Sequence, residues 1–132
     1  MIIKSIYLKK IFKDNDKHLD TFNRLKEELI KMGVKYDDGL VNFYLSRKEA
    51  NDDIILSFYE NGTIELYELY LDKETRMIYT PYDGCIERLD NLQSNLDKYY
   101  DRLISFAKES LRKKKMMEIE LRKLNIERNF EE

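Results

Sequence analysis

The chain has 132 residues, of which 42% are hydrophobic and 38% are charged, and 24 Lys and Arg nearly balance 26 Asp and Glu for a formal net charge of −2. This length fits a single domain over residues 1–132, and the apolar fraction is sufficient for a core. With four glycines, one proline and one cysteine, the composition excludes disordered and collagen-like classes, a disulfide framework and a cysteine-based zinc site.

The N-terminal third predicts a strand followed by a helix. Residues 2–12 open with β-branched side chains, which favours a strand. Their apolar run is short and interrupted by lysine, so it predicts neither a signal peptide nor a membrane span, and we expect a cytoplasmic protein with no membrane partner. From Leu19 to Met32 apolar residues recur at steps of three and four and Gly33 follows, which predicts a helix over 17–32.

The middle of the chain changes to a period of two, which is typical of strands. Residues 40–46 alternate between apolar and polar and predict a strand. The preceding Asp37-Asp38-Gly39 resembles the start of a calcium loop but lacks the alternating ligands and the closing glutamate, so a tight turn is the better interpretation.

Asn61-Gly62 lies between two alternating runs, which is the strongest short-range signal for a hairpin. A two-residue turn would pair Tyr59 with Ile64, Phe58 with Glu65, Leu56 with Tyr67 and Ile54 with Leu69. The predicted core face then carries Ile54, Leu56, Phe58, Tyr67, Leu69 and Leu71. A further antiparallel strand is predicted over 76–79.

The C-terminal part predicts one long helix over about 82–128. Thr80-Pro81 resembles an N-cap with the first helical position, and Cys85 leads into a leucine seam that continues to Phe106. Such a helix spans roughly 65 Å, whereas a compact chain of this size measures about 36 Å across. Either the helix breaks near Arg112 to Lys115 and folds back, or residues 112–132 project and form a homodimer through the apolar stripe of Met117, Leu121 and Leu124.

Two residues with catalytic potential are better explained as structural. His18, the only histidine, lies in the first turn of the first predicted helix beside Asp16 and Asp20. A catalytic histidine needs a nucleophile or an orienting carboxylate placed by the fold, whereas a solvent-facing histidine near a helix start explains this residue without that requirement. Cys85 is expected to be a small buried group in the leucine seam. No phosphate-binding loop or metal-ligand motif is present, so we predict a protein that is not an enzyme and that uses no cofactor and no metal.

Charge is distributed unevenly along the chain. Residues 49–74 contain eight acids against Lys73 alone, a net of −7. Acid interleaved with tyrosine can imitate nucleic acid and dock on a basic groove, although charged sheet edges that discourage pairing explain the same pattern. The predicted partner-binding residues are Tyr59, Glu60, Ile64, Glu65, Glu68, Tyr70 and Asp72. The alternative is a nucleic-acid-binding surface formed by Arg112, Lys113, Lys114 and Lys115.

Together these features predict an α+β fold with a small antiparallel sheet in a meander with an Asn-Gly hairpin, one packed helix and a long C-terminal helix. We expect a non-enzymatic protein-binding module, an inhibitor or adaptor that presents the acidic, tyrosine-rich surface to a basic groove of a host protein or protein complex. The alternative is a nucleic-acid-binding accessory protein. In type, the chain resembles the small acidic inhibitors carried by phages and other mobile elements, anti-CRISPR proteins included, although no motif identifies a family.

Overall fold

The computed structural model describes residues 11–12, 16–37, 41–48 and 51–131 and confirms the α+β fold. Helix α1 is Asp16–Lys31 and helix α2 is Leu92–Glu131. The strands are β1 Lys35–Asp37, β2 Asn42–Lys48, β3 Asn51–Phe58, β4 Ile64–Tyr67, β5 Tyr70–Asp72, β6 Met77–Tyr79 and β7 Cys85–Leu89.

Five strands form one antiparallel sheet in the order β1-β2-β3-β4-β7, and β5 pairs with β6 in a separate two-stranded sheet. The pairing of β5 with β6 confirms the predicted strand over 76–79. The predicted strand over 40–46 corresponds to β2, whereas β1 was not predicted because three residues are too few to show a period.

One buried cluster joins both helices to the sheet. The ring of Phe22 on α1 lies 5.3 Å from the ring of Phe58 on β3 and 6.1 Å from that of Phe43 on β2, between ring centroids. The side chains of Leu92, Leu96 and Leu103 on α2 belong to the same cluster and are fully buried. Aromatic and leucine side chains of α1, α2 and the sheet therefore share a single core.

Helix α1 confirms the predicted helix over 17–32 to within one residue at each end. Gly33 has a φ of 107°, its N–H donates to the carbonyl of Ile30 at 3.1 Å, and the N–H of Val34 donates to the carbonyl of Leu29 at 3.0 Å. This is the Schellman arrangement, in which a residue with positive φ ends the helix. The predicted stop at Gly33 is therefore confirmed.

The predicted hairpin between β3 and β4 exists, but its predicted register is wrong by one residue. Phe58 pairs with Ile64 and Leu56 with Leu66, and the N–H of Tyr59 donates to the carbonyl of Thr63 at 2.9 Å. The loop is therefore three residues long and not two. A three-residue loop is expected when a turn is followed by a left-handed residue, and Gly62 has a φ of 85°.

The change of register reverses which side chains of β4 face the helices. In the predicted core, Leu56, Phe58 and Leu69 are buried as expected, whereas Ile54, Tyr67 and Leu71 are only partly buried. Ile64 and Leu66 are fully buried instead, because they share the face of Phe58. Ile55 on the opposite face of β3 is also fully buried, so neither face of β3 is a simple solvent face.

The predicted helix start at Thr80-Pro81 is wrong, because strand β7 occupies part of the expected first turns. Cys85 is exposed on this strand and is not the buried head of a leucine seam. The helix begins after Asn91, whose φ is 59°. The N–H of Leu92 donates to the carbonyl of Gly62 at 2.8 Å, so the start of α2 is joined to the loop between β3 and β4.

Helix α2 is continuous over 40 residues, about 60 Å at 1.5 Å per residue. Of the two alternatives that the sequence left open, the break and return near Arg112 to Lys115 is therefore wrong. Instead, the β5–β6 hairpin extends along the second half of the helix, where Lys73 forms an ion pair with Glu120 at 3.0 Å and Arg76 donates to Asn125 at 3.0 Å. The β5–β6 hairpin therefore contacts the second half of α2, which a fold-back of the helix onto the domain would otherwise have buried.

The predicted opening strand over 2–12 can be judged at its last two residues only, since residues 1–10 lie outside the described part of the chain. Ile11 and Phe12 are helical and buried, so the strand prediction is wrong for them. The predicted turn at Asp37-Asp38-Gly39 lies outside the described residues from Asp38 onward, and Asp37 ends β1.

Candidate protein-binding surface

A chain of hydrogen bonds joins four side chains on the sheet face opposite Phe58. The hydroxyls of Tyr59 and Tyr67 lie 3.0 Å apart, and the Tyr67 hydroxyl donates to Oε2 of Glu65 at 2.5 Å. The guanidinium of Arg88 on β7 donates to Oε1 of Glu65 at 2.7 Å. We refer to Tyr59, Glu65, Tyr67 and Arg88 as the tyrosine-acid patch.

The patch exists because three strands align the same face. Glu65 lies opposite Ser57 on β3 and opposite Arg88 on β7, and Tyr67 lies two residues further along β4, so its side chain points to the same side. The Glu65 side chain is 14% exposed and that of Arg88 is 63% exposed. The patch is therefore partly buried at its centre and open at its rim.

The titration of the patch follows from these contacts. The hydroxyl of Tyr67 and then the guanidinium of Arg88 lower the pKa of Glu65 below its ordinary value of 4.5. Burial, followed by the bonds to Glu65 and Tyr59, raises the pKa of Tyr67. Glu65 is therefore a fixed negative charge and Tyr67 a fixed donor at neutral pH.

The remaining predicted partner-binding residues do not form one surface. Ile64 is fully buried in the core. Glu60 is exposed in the loop, and Tyr70 is 52% exposed with its ring 5.8 Å from that of Tyr79. The Asp72 side chain accepts hydrogen bonds from the backbone N–H groups of Glu74 and Thr75 in its own turn. Of these residues, Glu60 is exposed and directly follows Tyr59 of the tyrosine-acid patch in sequence.

The basic run is divided between the two sides of α2. Arg112 bonds to Glu109 on the same helix, and Lys113 forms an ion pair with Glu68 at 3.2 Å. Lys114 contacts Asp53, and Lys115 is exposed. Because the sheet region engages Lys113 and Lys114, the four residues do not form a continuous basic stripe.

Asp53 forms a buried polar network that the sequence did not reveal. It is 2% exposed, its Oδ1 accepts the N–H of Ser46 at 2.7 Å, and its Oδ2 accepts the Ser46 hydroxyl at 3.0 Å and the Lys114 ammonium at 2.7 Å. These contacts connect α2 to the β2–β3 hairpin.

The predicted dimerisation stripe is partly covered within the chain. Met117, Leu121 and Leu124 are each half-buried. Leu121 lines a cavity of about 500 Å³ together with Met77 and Ile78 of the β5–β6 hairpin, and Met117 packs against the core. A homodimer through this stripe stays a prediction, for which sedimentation of the intact chain beside a chain ending at Ser110 is the direct measurement.

The other residues considered for chemistry lie on different elements. His18 is half-buried in the first turn of α1, far along the chain from Cys85 on β7. Burial first, and then the charge of Glu65, raise the pKa of the Cys85 thiol. Within the described residues no group of three or more His, Cys, Asp or Glu is placed to hold a metal ion. Among the same residues, no helix is long and apolar enough to cross a membrane.

Sequence reasoning missed two members of the patch, Tyr67 and Arg88. Tyr67 was assigned to the core because the hairpin register was displaced by one residue, and Arg88 was assigned to a helix. Residues 85–89 do not alternate between apolar and polar side chains, so the sequence offers no period-two signal for this strand. Comparison with known proteins adds no further constraint, since no family model, no curated protein and no solved structure matches this chain.

Proposed function

We propose that the protein is a non-enzymatic binding module, an inhibitor or adaptor, that docks the tyrosine-acid patch on a basic surface of a host protein. The observation that supports this proposal is the hydrogen-bonded chain from Tyr59 through Tyr67 and Glu65 to Arg88. The chain holds two tyrosines and one carboxylate in place before any partner arrives. Such preorganisation reduces the entropy lost on binding.

The chemistry of the patch suits protein recognition. Tyrosine and arginine are the side chains that most often dominate binding energy at protein interfaces. Glu65, with its lowered pKa, and the exposed Glu60 supply negative charge beside the rings. A basic groove on the partner would be complementary to this arrangement, and complementarity raises the association rate. Ile64 is excluded from the docking surface because it is buried.

The nucleic-acid alternative through Arg112 to Lys115 ranks below this proposal. Two of its four residues, Lys113 and Lys114, already contact Glu68 and Asp53. Binding phosphates with them would require these ion pairs to open, and Asp53 would then be a buried charge without its lysine, which is costly.

Affinity capture from host cells tests the proposal. The doubly substituted chain Tyr59→Ser, Glu60→Lys removes one ring and reverses one exposed charge of this region. Glu74→Lys is the matched control, because Glu74 is equally an exposed acid in a hairpin turn. We expect the wild type and Glu74→Lys to retain the same host protein in a salt-sensitive manner, and the double variant to lose it. Equal retention by all three chains, with unchanged thermal melts, would contradict the proposal.

A further inference from the structure

The outward side of the second half of α2 is basic. Residues at intervals of three, four and seven lie within a sector of about 120° of the helix circumference. Over 105–126 this sector holds five bases and no acid, and all five are exposed: Lys108, Arg112, Lys115, Arg122 and Lys123. Glu109, Glu118 and Glu120 lie outside the sector. We refer to this sector as the basic face.

The basic face also exposes three large aliphatic side chains. Met116 is 57%, Ile119 is 41% and Ile126 is 55% exposed. Single exposed apolar residues are normal on protein surfaces. Here, however, three of the seven large exposed apolar side chains among the described residues lie on one face of one helix. They are interleaved with the cations over a straight length of about 27 Å between Lys108 and Ile126.

The rest of the protein holds this face outward. On the inner side of the same helix, Lys113 pairs with Glu68, Lys114 with Asp53, and Glu120 with Lys73 of the β5–β6 hairpin. These contacts fix the rotation of the helix about its axis. Of the five bases on the basic face, Arg112 is bonded to a carboxylate, that of Glu109 on its own helix.

The combination of charge and aliphatic surface restricts the occupant. A second copy of the chain would bring two sets of five bases together, and like charges at close range are unfavourable. A nucleic acid would accept the cations but would give the aliphatic side chains little to contact, since base recognition uses stacking and hydrogen bonds. An anionic bilayer accepts both, because cations contact the headgroups while aliphatic groups enter the interfacial layer.

We propose that the basic face of α2 binds the surface of an anionic lipid bilayer, with the helix lying in the plane of the membrane. This proposal departs from the sequence-based expectation of no membrane partner. That expectation was drawn from the lack of a segment that could span the bilayer, and a helix lying on the surface needs no such segment. This site is separate from the tyrosine-acid patch and does not depend on the proposed function.

Vesicle co-sedimentation of the full chain tests the proposal. The probes are vesicles of phosphatidylserine mixed with phosphatidylcholine, and vesicles of phosphatidylcholine alone. We expect binding to the anionic vesicles only, weakened by salt. The variant Lys115→Glu, Arg122→Glu should lose about 25-fold or more in affinity, since each base near an anionic surface contributes roughly a fivefold factor. The variant Ile119→Ser, Ile126→Ser should also bind several-fold more weakly.

Matched controls lie elsewhere on the same protein. Lys17→Glu reverses an exposed charge in the first turn of α1, and Ile30→Ser replaces an isoleucine that is 49% exposed on the same helix. Both should bind anionic vesicles like the wild type, as should the patch variant Tyr59→Ser, Glu60→Lys. This last result also separates the present proposal from the proposed function.

Three outcomes would overturn the proposal. The first is no binding of the wild type to anionic vesicles at low salt. The second is vesicle binding that Lys17→Glu weakens as much as the paired substitutions on the basic face. The third is binding to a DNA or RNA duplex that displaces the protein from the vesicles. If this binding is lost with Lys115→Glu, Arg122→Glu and unchanged by Ile119→Ser, Ile126→Ser, the basic face is a nucleic-acid-binding surface.

Discussion

The ammonium of Lys114 lies 2.7 Å from Oδ2 of Asp53, a carboxylate that is 2% exposed. The two residues are 61 positions apart in the chain, so this contact connects the middle of α2 to β3. Asp53 also accepts two hydrogen bonds from Ser46, so the buried charge is paired and hydrogen-bonded, as buried carboxylates require. The contact also explains why Lys114 does not belong to a free basic surface.

Removing this lysine should be much more costly than removing its neighbour. Lys114→Ala leaves Asp53 as a buried charge without its cation, which typically costs about 3 to 5 kcal/mol. Lys115→Ala removes an exposed side chain and should change the free energy of unfolding by less than about 0.5 kcal/mol. Chemical denaturation of both variants measures the difference, and equal stabilities would show that the ion pair is not formed.

The tyrosine-acid patch should make stability depend on pH through Glu65. A carboxyl whose pKa is lowered in the folded state stabilises the fold above its unfolded pKa, and this stabilisation is lost as pH falls through the folded value. Tyr67→Phe removes the largest cause of the lowering. It should cost about 1 kcal/mol near neutral pH, and this difference from the wild type should shrink as the pH falls below 4.5, the ordinary value for this group.

Tyr59→Phe is the control for this experiment. Tyr59 contacts the hydroxyl of Tyr67 and not the carboxylate, so its effect on unfolding should vary little across the same acid range. Denaturant unfolding at a series of pH values measures both variants. Parallel curves for Tyr67→Phe and the wild type would mean that the hydroxyl does not act on Glu65.

The thiol of Cys85 should report the charge of Glu65. Burial and the nearby carboxylate raise the pKa of the thiol, so little thiolate is present at neutral pH even though the residue is exposed. Glu65→Gln removes the negative charge and releases Arg88, and both changes favour the thiolate. We expect faster alkylation by iodoacetamide in Glu65→Gln than in the wild type. An unchanged alkylation rate in a folded Glu65→Gln variant would show that the charge of Glu65 does not act on the Cys85 thiol.

Gly33 should be sensitive to substitution for conformational reasons alone. Its φ is 107°, yet a Cβ built at this position meets no atom within 4 Å. Gly33→Ala should therefore cost about 1 kcal/mol or slightly more, without a clash or a lost contact. Gly33→Asn should cost less, because asparagine tolerates positive φ better. Thermal unfolding of the two variants gives this order if the Schellman ending is correct.

The structure could be predicted from the sequence where a local signal acts and no tertiary contact opposes it. Helix α1 could be predicted because its apolar spacing and its stop at Gly33 agree. The hairpin at Asn61-Gly62 could be located, but its register could not. Two-residue and three-residue loops both use a glycine with positive φ, and the packing of Ile64 and Leu66 against the helices selects the second.

The candidate site was harder to predict because long-range pairing defines it. Arg88 joins the patch only because β7 pairs with β4, and the segment containing it has good helix-forming residues that favoured a helix locally. The sequence also did not show that Lys113 and Lys114 form ion pairs with the sheet region while Lys115 is exposed. Helical geometry shows that the run spreads around the helix, but not which side the sheet covers.

The hydrogen bond from the N–H of Leu92 to the carbonyl of Gly62 has a consequence for the order of folding. The first turn of a helix is the costly step in its formation, and its N–H groups lack partners within the helix. Here one such partner is supplied by the loop between β3 and β4, which exists only when these strands are paired. We therefore expect the hairpin to form before the long helix is nucleated at Leu92. Mutations in this loop should then slow refolding, whereas mutations at the far end of the helix should mainly speed unfolding.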